Sequence, residues 1–318
     1  VNPSKLASAV EAAIDRMPSG SRKIALARTV IAVAQLTTLL FSKWDSFFVP
    51  ITGMEFGPDC GGIGRIGLYC LLWPFGGSPL PTVAMILGLL VVLSGYFPRY
   101  TGILHAWLTI SFAAATNLPD GGESVAQIVV LILAVILLAD SRRNHWQAES
   151  LAPTYARPIA WGASHVLRLQ LAWIYFNAAV SKTAVPEWQD GTAIYYITMD
   201  PMFGTAGPFA AVFDWIAYQS WGALAMAWGA ILIEMTIAIL LIGPAKYRFG
   251  AFWLAVVLHG LFIVMIGLWS FALVMIAAVL AATGPSVNLR QLGVIPHSER
   301  KTAVTREEKS ETTSLETT

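Results

Sequence analysis

Charge is what this 318-residue chain has least of. Asp, Glu, Lys and Arg together make up 12% of it, where soluble domains carry roughly a quarter. The formal net charge is +1, so there is no basic excess to hold a nucleic acid. Two cysteines are too few for a disulfide-built scaffold. No His/Cys/Asp/Glu spacing fits a metal site, and no Walker loop, dinucleotide fingerprint or nucleophile elbow occurs. No serine or cysteine stands beside a convincing catalytic partner, which leaves no visible protease machinery.

What is abundant is apolar surface. Hydrophobic residues reach 56% and mean hydropathy is +0.63, the composition of an integral membrane protein. The expected fold class is all-α: a polytopic membrane helix bundle of about eight spans. They run over Lys23–Phe41, Pro79–Phe97, Tyr100–Asn117, Ser124–Asp140, Gly162–Lys182 and Trp221–Gly243, followed by a long run from Phe249 to Ala282. That last run exceeds one crossing of a hydrocarbon core about 30 Å thick, and it divides near Gly267-Leu268 into a seventh span and a short eighth. A tight turn at Pro98-Arg99 joins the second and third. Residues 1–20 read as a short amphipathic segment, 21–285 as the membrane domain and 286–318 as a disordered cytoplasmic tail. No cleavable secretory signal is expected.

Lys and Arg set the orientation. With both termini cytoplasmic, the inner segments hold Arg22, Lys23, Arg28, Arg99, Arg142, Arg143, Arg157, Lys246, Arg248 and the cations of the tail. The outer ones hold only Lys43, Arg65 and Lys182. Two outer loops, Ser42–Ser78 and Thr183–Ser220, are long and rich in Trp, Tyr, Phe, Gly and Pro. Loops of that length are functional or disordered, and their aromatics favour structured half-helices at the membrane interface. Both cysteines, Cys60 and Cys70, fall in the first of them. A structural disulfide is the favoured reading, because the spacing lacks the C-x-x-C form of redox pairs.

The costliest residues gather in one stretch, Ser164–Tyr196. Its helical part carries Arg168, Gln170, Tyr175, Asn177 and Lys182 through an otherwise apolar run, then breaks at Pro186 into a loop bearing Trp188, Asp190 and Gly191. Arg168, Tyr175 and Lys182 are spaced by seven, so they share one helix stripe. Such a stripe belongs in the bundle interior or a wet cavity. Lys182 either snorkels to the interface or, desolvated, supplies an amine base, with Glu187 and Asp190 as acidic neighbours. Glu234 and His259 sit inside apolar spans and, as intramembrane ionisable groups, are candidate functional residues. The competing reading makes them a hydrogen-bonded pair that locks the sixth and seventh spans together. His105 reads as structural and His145 as a solvated loop residue. Asn117 and Asp120 lie in the turn Asn117–Glu123, whose Asp-Gly-Gly suits a tight turn facing the same side as Lys182.

The segment Tyr175-Phe176-x-Ala178-x-x-x-Lys182, with Trp188 and Gly191 beyond it, resembles the HTTM superfamily, the membrane module shared with vitamin K-dependent gamma-glutamyl carboxylase. Arg168, Gln170, Asp140, Glu234, His259 and the Gly267…Ser270-Phe271 break support the likeness, which covers most of residues 20–285. Size and the external cysteine pair resemble the bacterial branch of sporulation-delaying protein B. The resemblance implies a multi-pass protein of the bacterial plasma membrane. Its expected partners are a small SdpA-like protein and an exported peptide precursor that it helps to mature. Lys182 is the candidate base, with His259 and Glu234 beside it and a reduced quinone as a possible cofactor. Arg168, Gln170, Tyr175, Trp188, Asp190, Asn117 and Asp120 are the candidate substrate- or quinone-binding residues. The carboxylase's histidine in the turn before the fourth span has no counterpart in Leu118–Ser124, and its large lumenal domain is missing, so gamma-carboxylation by this chain alone is not expected.

Overall fold

In a computed structural model, residues 3–18, 20–48, 56–116, 121–201 and 204–284 are described. The tail read above as disordered lies outside them. So do Asn117 and Asp120. Among the described residues every regular element is helical.

Two compact units are distinguished, one holding residues 1–15 with 286–318, the other Arg16–Pro285. The described part of the first is helix α1, Pro3–Asp15. In the second, α2 spans Arg22–Phe41, α3 Leu68–Gly76, α4 Pro79–Leu93, α5 Pro98–Ala115 and α6 Gly121–Leu137. Then come α7 Arg157–Thr183, α8 Pro186–Asp190, α9 Thr192–Met199, α10 Ala210–Tyr218, α11 Ser220–Ile242, α12 Arg248–Ile266 and α13 Trp269–Ala282. Among the described residues, three stretches are long and apolar enough to cross a membrane: Arg22–Phe41, Ser220–Ile242 and Ala245–Ile266. Pro79–Leu93, Gly121–Leu137 and Trp269–Ala282 are shorter apolar helices.

Two turns differ from expectation. Pro98 and Arg99 are the first residues of α5 rather than a linker, because proline lacks only an N–H that a first turn leaves unpaired anyway. The reversal falls instead on residues 94–97, where Gly95 and Phe97 both take positive φ. Gly121 and Gly122 likewise open α6 instead of completing a tight turn, with Glu123 in the helix's first turn, where a carboxylate complements the helix dipole. The break between α12 and α13 falls at Gly267, whose φ of 70° ends the helix.

Two large apolar cores share helix α2. The larger joins α2, α6, α7, α11, α12 and α13. The smaller joins α2 to α3–α5 and includes Phe47, Phe48 and Tyr69 of the first long loop. Helix α13 is the axis of the larger core: Ala277, Ala278, Val279, Ala281 and Ala282 are all buried. Against it α2 presents buried Ala27 and Ala34, small residues that let two backbones approach where packing is the main attraction. Cys60 and Cys70 are joined by a disulfide across a Cα–Cα distance of 5.7 Å, closing the first loop over α3.

His145 is fully buried rather than solvated. Its N–H donates to the Gly95 carbonyl at 2.9 Å, and the Tyr96–Asn144 bridge folds this loop back on the α4–α5 turn. A Cβ on Gly95 would sit 2.6 Å from the imidazole, so glycine is what lets the ring in. Burial lowers the His145 pKa to about 4. His105 is buried too, its Nε2 3.0 Å from Gln35 Oε1. The Gln35 amide donates to Thr109 Oγ1 and Glu123 Oε2 at 3.1 and 3.2 Å. That cluster ties α2, α5 and α6 together.

Candidate functional site

Helix α7 supplies the stripe. Its interior face, built from Leu167, Arg168, Leu171, Ala172, Tyr175 and Ala179, is buried while Trp173, Phe176 and Asn177 point outward. The heptad spacing therefore does put Arg168, Tyr175 and Lys182 on the packed side. They do not form one site. Arg168 lies fourteen residues, or about 21 Å, before Lys182 along the axis. It donates to the carbonyls of Ala282 and Gly284 at the end of α13. Gln170 is half-buried and does not line the cavity described next.

Above Tyr175 and Lys182 lies a cavity of about 710 Å³, walled by α6, α7 and α11–α13 and roofed by α8–α10. Its walls are almost wholly apolar; Trp221, Met226, Phe262 and Phe271 are among them. Four ionisable or hydroxyl side chains reach it, and they come as two pairs.

The first pair is Lys182 with Glu234. The ammonium donates to Oε1 and Oε2, each at 2.8 Å, and to the Ala178 carbonyl at 3.2 Å. Its side chain keeps 20% of its exposure, that of Glu234 only 8%. All three N–H bonds of the lysine are thus used, two of them charge-assisted. The second pair is Tyr175 with His259, whose Nε2 is 2.8 Å from the phenol oxygen. The imidazole is wedged edge-on between Phe262 and Phe271, and its Nδ1 has no partner. Glu234 and His259 therefore do not bind each other. Each reaches across to α7, so they fasten α11 and α12 to that helix rather than to one another. The acid facing Lys182 is Glu234, not Glu187 or Asp190.

The roof is held by local chemistry. Pro186 starts α8 and points Trp188 at the lysine, the ring centroid 5.2 Å from Nζ, a cation–π distance. The Trp228 indole N–H donates to the Gln189 carbonyl at 3.1 Å. Gly191, at φ 89°, lies so close to α11 that a Cβ would stand 2.7 Å from the Leu224 backbone. Asp190 is exposed and outside the cavity. Its carboxylate accepts from the Thr192 hydroxyl at 2.7 Å and backbone N–H at 2.9 Å. Those bonds hold its pKa below the usual carboxylate range. Asp190 thus shapes the elbow between α8 and α9.

Chemically, the Lys182–Glu234 pair can pass one proton within itself, converting ammonium and carboxylate to amine and acid at the edge of a water-poor space. Tyr175 and His259 can present a hydroxyl or imidazole proton farther in. Among the described residues no group of His, Cys, Asp and Glu is arranged to hold a metal. The apolar lining of α9, α10 and α13 was not legible as a site, because in a chain this hydrophobic a cavity wall and a lipid-facing surface have the same composition.

No family model and no solved structure matches the chain. Over 257 residues it is 32% identical to the uncharacterized protein YitO of Bacillus subtilis, a match covering 79% of this chain and 81% of YitO. Over 284 residues it is 26% identical to the sporulation-delaying protein SdpB of the same organism, covering 88% of this chain and 87% of SdpB. The chain belongs to the family of YitO and is a helical membrane protein of SdpB-like type.

Proposed function

We propose that this protein is the membrane component of a machinery that matures or modifies an exported peptide. In this reading the cavity receives an apolar segment of the precursor and Lys182 acts as base once it has passed a proton to Glu234. The observation that carries the proposal is the Lys182–Glu234 pair at the wall of a large, almost wholly apolar cavity. An ion pair there is costly to desolvate and is not needed to hold two apolar helices together. Similarity to a sporulation-delaying protein over most of both chains supports the same assignment, as does the HTTM-like motif around Lys182. Eight spans with both termini cytoplasmic would place the cavity at the outer face of the bacterial plasma membrane, where a small SdpA-like partner could deliver the precursor.

The test is product formation by Lys182→Ala in the native host, with membrane insertion followed in parallel. Inserted protein with no mature product is the expected result. Normal product from the inserted variant would remove the catalytic part of the proposal.

A second reading is favoured by the inner pair. Tyr175 and His259 lie at an apolar wall, where the oxygens of a reduced quinone could be held, and the same lysine would then serve a quinol-dependent reaction of carboxylase type. Gentle extraction that yields no bound quinone would count against it.

A further inference from the structure

At the end of the bundle opposite Lys182, cations converge that the proposed function does not use. The N-terminus of α12 begins with Arg248, whose side chain is 9% exposed; its Nε donates to the Gly243 carbonyl at 3.2 Å and its Nη1 is buried with no partner. A 3-10 turn over Ala245–Tyr247 leads directly into α12 and the Arg248 N–H bonds to the Ala245 carbonyl, so it is the Arg248 side chain that is left unsatisfied here. Arg168 stands near enough to Arg248 for the two guanidiniums to repel, and His165 feels both. From α2, Lys23 reaches the same place. Its ammonium donates to Thr283 Oγ1 at 3.1 Å and lies 5.8 Å from the Phe249 ring.

The C-terminus of α13 accounts for part of this charge, since its last carbonyls accept from Arg168 and Lys23. A helix end offers only about half a negative charge, which does not balance Lys23 and Arg248. No carboxylate of the described residues pairs with Lys23 or Arg248; the Arg142–Asp140 and Lys182–Glu234 pairs lie elsewhere. An exposed rim of Tyr247, Phe249 and Trp253 flanks the cluster, the aromatic type found at headgroup depth.

We propose that Arg248 and Lys23 form a binding site for the phosphate headgroup of an anionic phospholipid, with Arg168 adding to the local positive charge and the aromatic rim meeting the glycerol and upper acyl chains. An anion there would satisfy the orphaned Arg248 Nη1 and sit beside the Lys23 ammonium. A buried, unpartnered guanidinium nitrogen beside an ammonium selects an oxyanion, and the exposed aromatic rim selects one that carries acyl chains over a soluble phosphate. The inference is independent of any activity at Lys182.

The experiment uses the purified full chain in a neutral detergent and titrates phosphatidylglycerol, phosphatidylcholine or inorganic phosphate while lipid retention and the melting temperature are recorded. Phosphatidylglycerol is expected to be retained and to raise the melting temperature, with little effect from the other two. Arg248→Gln and Lys23→Gln should each weaken retention by roughly five-fold, the effect of about one juxtamembrane charge. Arg143→Gln, an exposed cation away from the cluster, should change nothing. Should Arg248→Gln fail to fold, the exposed Lys23 variant carries the test alone. Equal retention of phosphatidylcholine, or unchanged phosphatidylglycerol binding by the folded variants, would overturn the proposal. An equal shift with inorganic phosphate would overturn its lipid part and leave a soluble-anion site.

Discussion

Removing one member of the Lys182–Glu234 pair should cost far more stability than removing both. Opposite charges about 4 Å apart attract by about 4 kcal/mol at an effective dielectric of about 20, and here two N–H···O bonds of 2.8 Å reinforce the attraction. Desolvation of both groups offsets much of that gain in the intact protein, so the pair's net contribution is small. Lys182→Met leaves a carboxylate whose side chain is only 8% exposed without its cation, and Glu234→Met strands an ammonium. Breaking buried pairs in this way costs about 3–5 kcal/mol. The partial exposure of Lys182 toward the cavity puts the expected loss near the lower end, roughly 3 kcal/mol for each single variant. The double variant, with two methionines packed against an apolar wall, should recover most of the loss. The assay is a double-mutant cycle on unfolding free energy in bicelles, with product formation measured on the same four proteins. Singles within about 0.5 kcal/mol of wild type, or a double variant no better than the worse single, would refute the burial argument. A double variant that is stable but makes no product would separate the chemical role of the pair from its structural one.

Gly191→Ala forces a Cβ against the Leu224 backbone at a positive φ; a loss of roughly 1–3 kcal/mol is expected, read as a lower melting temperature with looser protection of the α8–α9 elbow in hydrogen exchange. His145 is buried neutral with a pKa lowered to about 4, so the unfolded chain binds the proton more readily. The associated stability is complete above the unfolded value of about 6.5, falls as pH drops toward about 4 and is flat below that. His145→Phe should flatten that segment of the stability–pH curve, which unfolding at stepped pH will show. Replacing Cys60 and Cys70 together by serine should lower stability by roughly 3 kcal/mol on the chain-entropy model, and the wild type should take up a maleimide label only after reduction. Tyr175→Phe breaks the bond to His259 while keeping the ring, so product formation should fall more than stability does if the inner pair handles a proton; equal losses would make the pair structural.

Much of the helix order could be read from hydropathy and punctuation. The run after Phe249 breaks at Gly267, as expected, because a left-handed residue ends α12 there. Element ends were less legible. Helix α7 starts at Arg157 rather than Gly162 since Pro158 fits a first turn, and the Gly-Gly of residues 121–122 opens a helix instead of a turn. Heptad spacing correctly put Tyr175 and Lys182 on the packed face, but spacing along one helix says nothing about which other helix faces it. The partners Glu234 and His259 came from α11 and α12, fifty-two and eighty-four residues away. Periodicity in those helices is too weak to orient them. His145 was misread for a related reason: polar neighbours suggest solvent, whereas burial there depends on Gly95, fifty residues earlier. Arg168, Gln170 and Asp190 share the motif's neighbourhood in sequence but not the cavity in space.

The central claim is that an exported peptide enters the cavity beside Lys182. The direct measurement is photocrosslinking in the native host, with a photoreactive residue replacing Met226 on the cavity wall and, as a control, the outward-facing Leu232, which is 61% exposed. An adduct between precursor and the Met226 position, absent from the Leu232 position, is the result expected. Adducts at neither position, or equally at both, would contradict it.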